Sequence, residues 1–245
     1  MNRGFYTLGS GMLTNNRSLS AISNNLANLT TIGYKKSQIQ SATFGDMLMY
    51  RLDDNTTEIG SVSRLRSATQ SYTIHSQGTL DTTDRTLDFA ISGSGFFEVQ
   101  SEDGVVYTRN GNFSINSDGY LVLNNVGRVL GTDGQPIRLG TDDFEADSAG
   151  NLFVDSVKVG QLAVADFADY TSLVSVNEGM YGANGQQSIA SDAAISWKTL
   201  ELSNADSAEE MTNAIAVQRN LQACAQALQI YDNNLAKAVA EIGKI

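Results

Sequence analysis

In the stretch FYTLGSGMLTNNRSLSAISNNLANL, residues 5–29, mostly apolar residues recur at alternating steps of three and four. We call this series of positions the seam. This heptad spacing predicts an amphipathic helix that packs against another helix. Asn15 is its only polar member, and a lone Asn in such a seam fixes register and strand number at some cost in stability. We therefore expect an N-terminal helix in which Asn15 controls pairing. The seam positions are Phe5, Leu8, Met12, Asn15, Leu19, Ile22, Leu26 and Leu29.

The C-terminal stretch repeats the same spacing from residue 214 onward. Ser207 followed by Glu210 fits a capping box, in which each side chain satisfies the other's backbone amide, and this predicts where the helix starts. Cys224 falls on the seam, so it is interpreted as a small packed residue rather than a reactive thiol. As the only cysteine, it also excludes an internal disulfide. The seam runs through Ala214, Val217, Leu221, Cys224, Leu228, Tyr231, Leu235, Ala238, Ile242 and Ile245.

The two ends of the chain differ in charge. Residues 1–40 carry four bases and no acid, whereas residues 201–245 carry six acids and three bases. Opposite charges favour pairing of an N-terminal with a C-terminal helix. A helical hairpin within one chain and packing between chains both satisfy the seams. The length of each seam, about 40 Å as a helix, favours packing between chains.

The middle of the chain changes to short β-branched and aromatic runs separated by glycine turns. Asp103-Gly104, Asn110-Gly111 and Asp118-Gly119 are typical of tight hairpin turns, and Asp133-Gly134 continues the set. The predicted fold class is α+β, with terminal helices forming a coiled-coil-like domain and an inserted antiparallel all-β domain. The expected segments are an N-terminal helix in 1–40, a connector in 41–71, the β domain in 72–196 and a C-terminal segment and helix in 197–245. Within the connector, 44–50 is predicted as a short helical turn followed by extended chain.

Composition restricts the classes of partner. The formal net charge of -11 and the absence of a basic cluster disfavour nucleic acid. The N-terminus is too polar for a signal-peptide core, and no stretch approaches the roughly 20 apolar residues of a membrane span. We expect neither nucleic-acid binding nor direct membrane insertion.

Residues capable of catalysis are sparse. The single histidine, His75, cannot build a histidine-based metal site or, without a nucleophile elbow, a serine triad. Two carboxylate groups, Asp81/Asp84/Asp88 and Asp142/Asp143/Glu145/Asp147, leave open a glycoside-cleaving pair, although solvated turns are the simpler interpretation. The prediction is a protein without catalytic residues, metal or cofactor.

Several motifs along the chain resemble the flagellar basal-body rod and hook protein family. Residues 23–35, SNNLANLTTIGYK, are similar to the family's Asn-Asn-Leu-Ala-Asn core followed by Thr, Gly, an aromatic residue and Lys. The order of later motifs also matches: SQGTL at 76–80, LDFAI at 87–91, GSGFF at 93–97 and YTRNGNF at 107–113. LELSN at 200–204 and EEMTNAI at 209–215 complete the resemblance, which covers nearly the whole chain.

The resemblance implies a structural rod subunit exported through the flagellar type III apparatus without signal cleavage. Its helices would line a helical tube, and its partners would be copies of itself and other axial proteins of rod and hook. The short connector favours a proximal-rod over a distal-rod or hook-type subunit. The alternative is a secreted binding module whose helices pair within the monomer.

The predicted assembly interface combines the seams with the motif residues. Asn24, Asn25 and Asn28 are expected to bond backbone and neighbours, and Gly33 to end the helix with a left-handed turn. The N-terminal set is Phe5, Leu8, Met12, Asn15, Leu19, Ile22, Asn24, Asn25, Leu26, Asn28, Leu29, Gly33 and Tyr34. The C-terminal set is Met211, Val217, Gln218, Arg219, Leu221, Cys224, Leu228, Tyr231, Leu235 and Ile242.

Overall fold

The computed structural model describes residues 3–51, 57–102, 104–177, 179–191 and 193–242, with backbone alone for residues 3, 42–51, 57–70 and 242. It divides into two compact units. The helical unit holds residues 1–27, 37–73 and 206–245, and the β unit holds residues 28–36 and 74–205. The α+β fold class with terminal helices and an antiparallel β insertion is confirmed. The two units interleave along the chain, so the predicted domain boundaries at 40, 71 and 196 remain predictions.

The helical unit contains two helices and one two-stranded ribbon. Helix α1 spans Arg3–Ala27, and helix α2 spans Ser207–Ile242. Strands β1 (Ser37–Arg51) and β2 (Thr57–Thr73) pair antiparallel with each other, with register shifts near both ends. Neither described helix has a stretch long and apolar enough to cross a bilayer.

The helical turn predicted at 44–50 is wrong, because these residues belong to β1. A short apolar run fits helical and strand spacing equally, so periodicity alone could not decide it. The paired register from Ser37 with Thr73 to Arg51 with Thr57 shows a continuous ribbon instead of an extended connector. The polar turn residues at 53–55 fall outside the described residues.

The start of α2 also differs from the prediction. Asp206, not Ser207, is the N-cap: its Oδ1 accepts hydrogen bonds from the amides of Ala208 at 2.8 Å and Glu209 at 3.0 Å. The predicted capping box is therefore wrong by one residue. Adjacent Asp and Ser are both good cap residues, so the sequence offered two starts.

The β unit consists of short antiparallel strands. Its main sheet has the order β14-β15-β6-β5-β9-β8-β7, with β13 joining β5 to β16. The smaller sheets are β10-β11-β12, β17-β4 and β18-β3. The strands are β3 (Leu80–Thr82), β4 (Phe89–Ser92), β5 (Phe96–Ser101), β6 (Gly104–Thr108), β7 (Phe113–Ile115), β8 (Leu121–Leu123), β9 (Gly127–Val129), β10 (Glu145–Ala146), β11 (Asn151–Val154), β12 (Val157–Gln161), β13 (Val164–Asp166), β14 (Val174–Asn177), β15 (Met180–Gly182), β16 (Ile189–Ala190), β17 (Ala194–Trp197) and β18 (Thr199–Glu201).

The core of the β unit is aromatic and aliphatic. Phe89, Phe97, Phe113 and Leu121 are fully buried in one cluster, and Phe96 anchors a second.

One predicted turn of the β unit is wrong, and Asp103 of the predicted Asp103-Gly104 turn lies outside the described residues. Asp118-Gly119 turns β7 into its partner β8, and Gly119 has a φ of 83°. Asn110-Gly111 instead links β6 to β7, which are not neighbours in the sheet. A Cβ added at Gly111 would lie 1.8 Å from the Phe89 carbonyl oxygen, so this glycine is required by a close approach of two backbones.

Candidate assembly interface

Helices α1 and α2 pair antiparallel within the helical unit. A Cβ added at Gly4 would lie 2.8 Å from Tyr231 Oη, and one at Gly11 would lie 4.0 Å from Cys224 Sγ. A step of seven residues toward the C-terminus of α1 therefore corresponds to a step of seven residues toward the N-terminus of α2. The line of closest approach follows Gly4 and Gly11, which are not members of the apolar seam.

The predicted α1 seam lies beside this line of closest approach. Phe5 remains 47% exposed. Because glycine carries no side chain, the seam side chains flank the crossing and are only partly covered by α2. The half-buried seam residues are Leu8, Met12, Asn15, Leu19, Ile22, Leu26 and Leu29.

The predicted residues of α2 divide into two groups. Val217, Leu221, Cys224 and Leu228 are half-buried. For Ile242 the structure describes the backbone only. The exposed members are Met211, Gln218, Arg219, Tyr231 and Leu235.

The described part of α2 extends past the first described residue of α1. Because Gly4 lies opposite Tyr231 and α1 begins at Arg3, the α2 residues after 232 have no described α1 residue opposite them. Leu235 and Val239 continue the same helical stripe and are 43% and 71% exposed. We call residues 233–242 the α2 overhang.

The three predicted asparagines have different surroundings. Asn25 is 1% exposed, and its side-chain amide donates to the Ser37 carbonyl and accepts from the Ser37 amide, both at 2.9 Å. It thereby fixes the start of β1 within the helical unit. Asn28 is buried in the β unit and accepts a hydrogen bond from Thr31 Oγ1, whereas Asn24 is exposed. Asn25 and Asn28 thus have intrachain partners, and the interface role of all three stays a prediction.

Gly33 and Tyr34 belong to a short segment held in the β unit. Gly33 has a φ of 69°, as expected for a left-handed residue, but it lies beyond the turn that follows the helix end at Ala27. Its amide donates to the Glu201 carbonyl at 2.8 Å. Asn204 donates its backbone amide to the Tyr34 carbonyl and accepts from the Lys36 amide at 2.7 Å. Segments 33–36 and 201–204 are distant in the sequence, and these hydrogen bonds hold them together.

A buried ionic cluster lies at this junction. Lys35 Nζ is 2.5 Å from Glu201 Oε1, and Arg109 Nη1 is 3.1 Å from Glu201 Oε2. All three side chains are at most 4% exposed. Burial lowers the pKa of Lys35, and the facing carboxylate of Glu201 opposes that shift. The carboxylate of Glu201 contacts both cations, so it links the three chain segments that carry these residues through directed charge-assisted hydrogen bonds.

His75 lies in the β unit among aromatic rings. Its ring centroid is 4.8 Å from that of Tyr181 and 5.5 Å from that of Phe96. Burial, reinforced by the charges of Lys35 and Arg109, lowers the His75 pKa to about 4. A neutral, packed imidazole is a structural residue at neutral pH.

Two of the candidate carboxylates, Asp88 and Asp147, have structural partners. Asp88 is 1% exposed, accepts from Thr83 Oγ1 at 2.8 Å and lies 3.2 Å from Arg85. Asp147 accepts hydrogen bonds from Asn151, which lower its pKa, and so shapes a turn. Among the described residues, no three His, Cys, Asp or Glu side chains converge as metal ligands.

Three family models match the chain in order. Residues 5–35 match the flagella basal body rod protein model, and residues 90–161 match the flagellar hook protein FlgE/F/G D1 domain. Residues 198–241 match the flagellar basal body rod FlgEFG protein C-terminal model. The first and third matches cover α1 and α2, and the second covers the core strands of the β unit.

Whole-chain relatives point the same way. The chain is 32% identical to the flagellar basal-body rod protein FlgG of Bacillus subtilis, over 98% of each chain. It is 30% identical to the flagellar hook-basal body complex protein FlhO of the same organism over the full length of both. The flagellar basal-body rod protein FlgF of Mesorhizobium japonicum is 29% identical over 99% of each chain. With matched segments in the same order as the helical and β elements, the chain belongs to the flagellar basal-body rod and hook protein family.

Proposed function

We propose that this protein is a structural subunit of the bacterial flagellar basal-body rod that self-assembles into the helical axial tube and transmits torque. Family membership supports the role, and the relatives named as rod proteins support the location in the basal body. The partners would be further copies and other axial proteins of rod and hook. Export through the flagellar type III apparatus without a cleaved signal, a proximal position in the rod and the absence of catalysis belong to the same proposal.

The α2 overhang is the observation that carries this proposal. Pairing of α1 with α2 within the chain is what a monomeric binding module would also need. That pairing nevertheless leaves Leu235 and Val239 exposed on the stripe that α1 covers further along. When the apolar stripe of a helix extends beyond the helix that covers it within the chain, a covering partner from another chain is favoured.

Exposed apolar side chains of α1 support the same interpretation. Phe5 and Leu13 are 47% and 57% exposed although α2 lies against the helix. Each helix therefore presents apolar side chains outside the intrachain contact. A subunit of a tube needs such contacts in more than one direction, because non-reciprocal contacts generate open helical assemblies.

Replacing both Leu235 and Val239 by Asp tests the proposal. Because both side chains are already exposed, the thermal unfolding midpoint and the far-UV circular dichroism of the monomer should stay at wild-type values. Polymer formation, measured by sedimentation, and incorporation into flagellar basal bodies should be lost, because charge would enter a packed contact.

Asn234→Asp is the matched control. It adds a negative charge to the same overhang, about 100° around the helix from Leu235 and about 140° from Val239, and should assemble normally. A Leu235→Asp, Val239→Asp double variant that polymerises like wild type would refute the overhang as an interface and favour the monomeric module.

A further inference from the structure

A groove lies inside the helical unit where α1, the start of β1 and the start of α2 meet. Its volume is about 210 Å³. Polar residues, including Ser18, Asn25, Gln38 and Asn213, line it together with the apolar residues Ile22, Ile39 and Val217. Glu210 also lines it, although this residue is only 2% exposed. The groove therefore contains an almost fully buried carboxylate.

The carboxylate of Glu210 lacks a cation in the described part of the chain. No ion pair that involves Glu210 occurs among the described side chains. Its helical neighbours at three and four residues are Asp206, Ser207, Asn213 and Ala214, none of which is basic. A buried carboxylate without a cation is unfavourable unless a partner arrives.

Arg219 on the same helix shows the opposite imbalance. It is exposed, and the residues three and four positions away are Ile215, Ala216, Gln222 and Ala223, so no helical neighbour is acidic. Glu210 and Arg219 of one chain are about 13 Å apart along the helix axis, too far to pair. The cation and the buried carboxylate can meet only between two chains.

We propose that the groove of one copy receives the Arg219 side chain of a second copy, which pairs with Glu210 as the subunits assemble. Arginine fits this role because its long aliphatic stem can pass through a narrow groove and its guanidinium binds a carboxylate through two hydrogen bonds. Each copy then donates one Arg219 and accepts another, and when the donor and the acceptor are different neighbours this contact builds open helical assemblies. This pairing rests on the proposed rod function and names one contact within it.

A double-mutant cycle on the full chain tests the pair. Glu210→Gln and Arg219→Gln should each raise the critical concentration for polymer formation at least about tenfold. The double variant should be no worse than either single variant, because both remove the same contact. The unfolding midpoint of monomeric Glu210→Gln should be unchanged or higher, because a buried lone charge is removed.

Lys158→Gln and Asp155→Asn are controls, because they remove one exposed positive and one exposed negative charge outside both helices. Single effects that add in the double variant, a wild-type critical concentration for either single variant, or a less stable Glu210→Gln monomer would overturn the pairing. Should Glu210→Gln misfold, wild-type assembly of Arg219→Gln would still overturn it. Failure of the wild type and both controls to polymerise would instead reject the rod function, and the pairing with it.

Discussion

The β unit and the helical unit differ in what their interiors contain. Every hydrophobic side chain that is buried among those described lies in the β unit. The buried residues described in the helical unit are Thr14, Asn25 and Glu210, all polar. The β unit has a complete core of its own, whereas the described helical unit leaves its apolar stripes half-covered. Partner-dependent order is therefore expected in the helices and not in the sheet.

The chain carries a natural probe for this comparison. Its only tryptophan, Trp197, lies in the β unit and donates from Nε1 to the Thr86 carbonyl at 2.7 Å. Tryptophan fluorescence thus reports on the β unit, while ellipticity at 222 nm reports mainly on α1 and α2. Because only the β unit has a complete apolar core, the two probes should report separate urea transitions for the two units.

The largest expected effect is that of Glu201→Ala. This change leaves Lys35 and Arg109 buried without their shared carboxylate, which should lower the free energy of unfolding of the β unit by about 3–5 kcal/mol. The fluorescence transition should move to lower urea concentration. Asp118→Ala is the control, because Asp118 is 63% exposed and pairs with Arg128 at 3.7 Å, so about 0–1 kcal/mol should be lost. Equal effects of the two changes would mean that burial of the cluster contributes nothing.

The next effect is a pH dependence due to His75. The His75 pKa is about 4 in the folded protein and 6.5 when exposed, so between these values the unfolded chain binds more protons. Stability of the β unit should therefore be complete above pH 6.5 and fall as the pH drops toward 4, by up to about 3 kcal/mol. The measurement is the urea midpoint by Trp197 fluorescence at several pH values.

His75→Gln isolates this contribution, because the chain has no other histidine. Carboxylates that titrate near pH 4 affect wild type and variant alike, so the difference between the two chains reports His75. Parallel pH profiles of wild type and His75→Gln would show that the imidazole is not held neutral by its surroundings.

The sequence predicted the two helices and the β insertion because those elements have sustained local signals. Alternating steps of three and four persisted through both ends, and Asp-Gly pairs marked hairpin turns such as that at Asp118-Gly119. The β1–β2 ribbon was missed because its apolar run at 44–50 is too short for periodicity to distinguish strand from helix. Its strands are defined by pairing with each other, which is not visible in either strand alone.

The site was harder to predict than the fold. Lys35 and Glu201 lie 166 residues apart, and a charged residue in a sequence is normally solvated, so their buried pairing has no local signature. The helix crossing was missed for a different reason: it follows Gly4 and Gly11, whereas a heptad pattern is defined by apolar residues. Two glycines seven residues apart beside the seam were the available signal.

The smallest expected effect concerns the cap of α2 and sharpens the comparison from the helical side. Asp206→Ala removes the acceptor for two backbone amides and should cost about 1 kcal/mol, whereas Ser207→Ala should cost a few tenths at most. In a unit with no described buried apolar side chain, such a loss should appear as reduced ellipticity at 222 nm on mild heating, with the Trp197 transition unmoved. A larger effect of Ser207→Ala would place the cap one residue later. A shift of both probes together would show that helices and sheet unfold as one unit, and the contrast between the two interiors would then have no thermodynamic consequence.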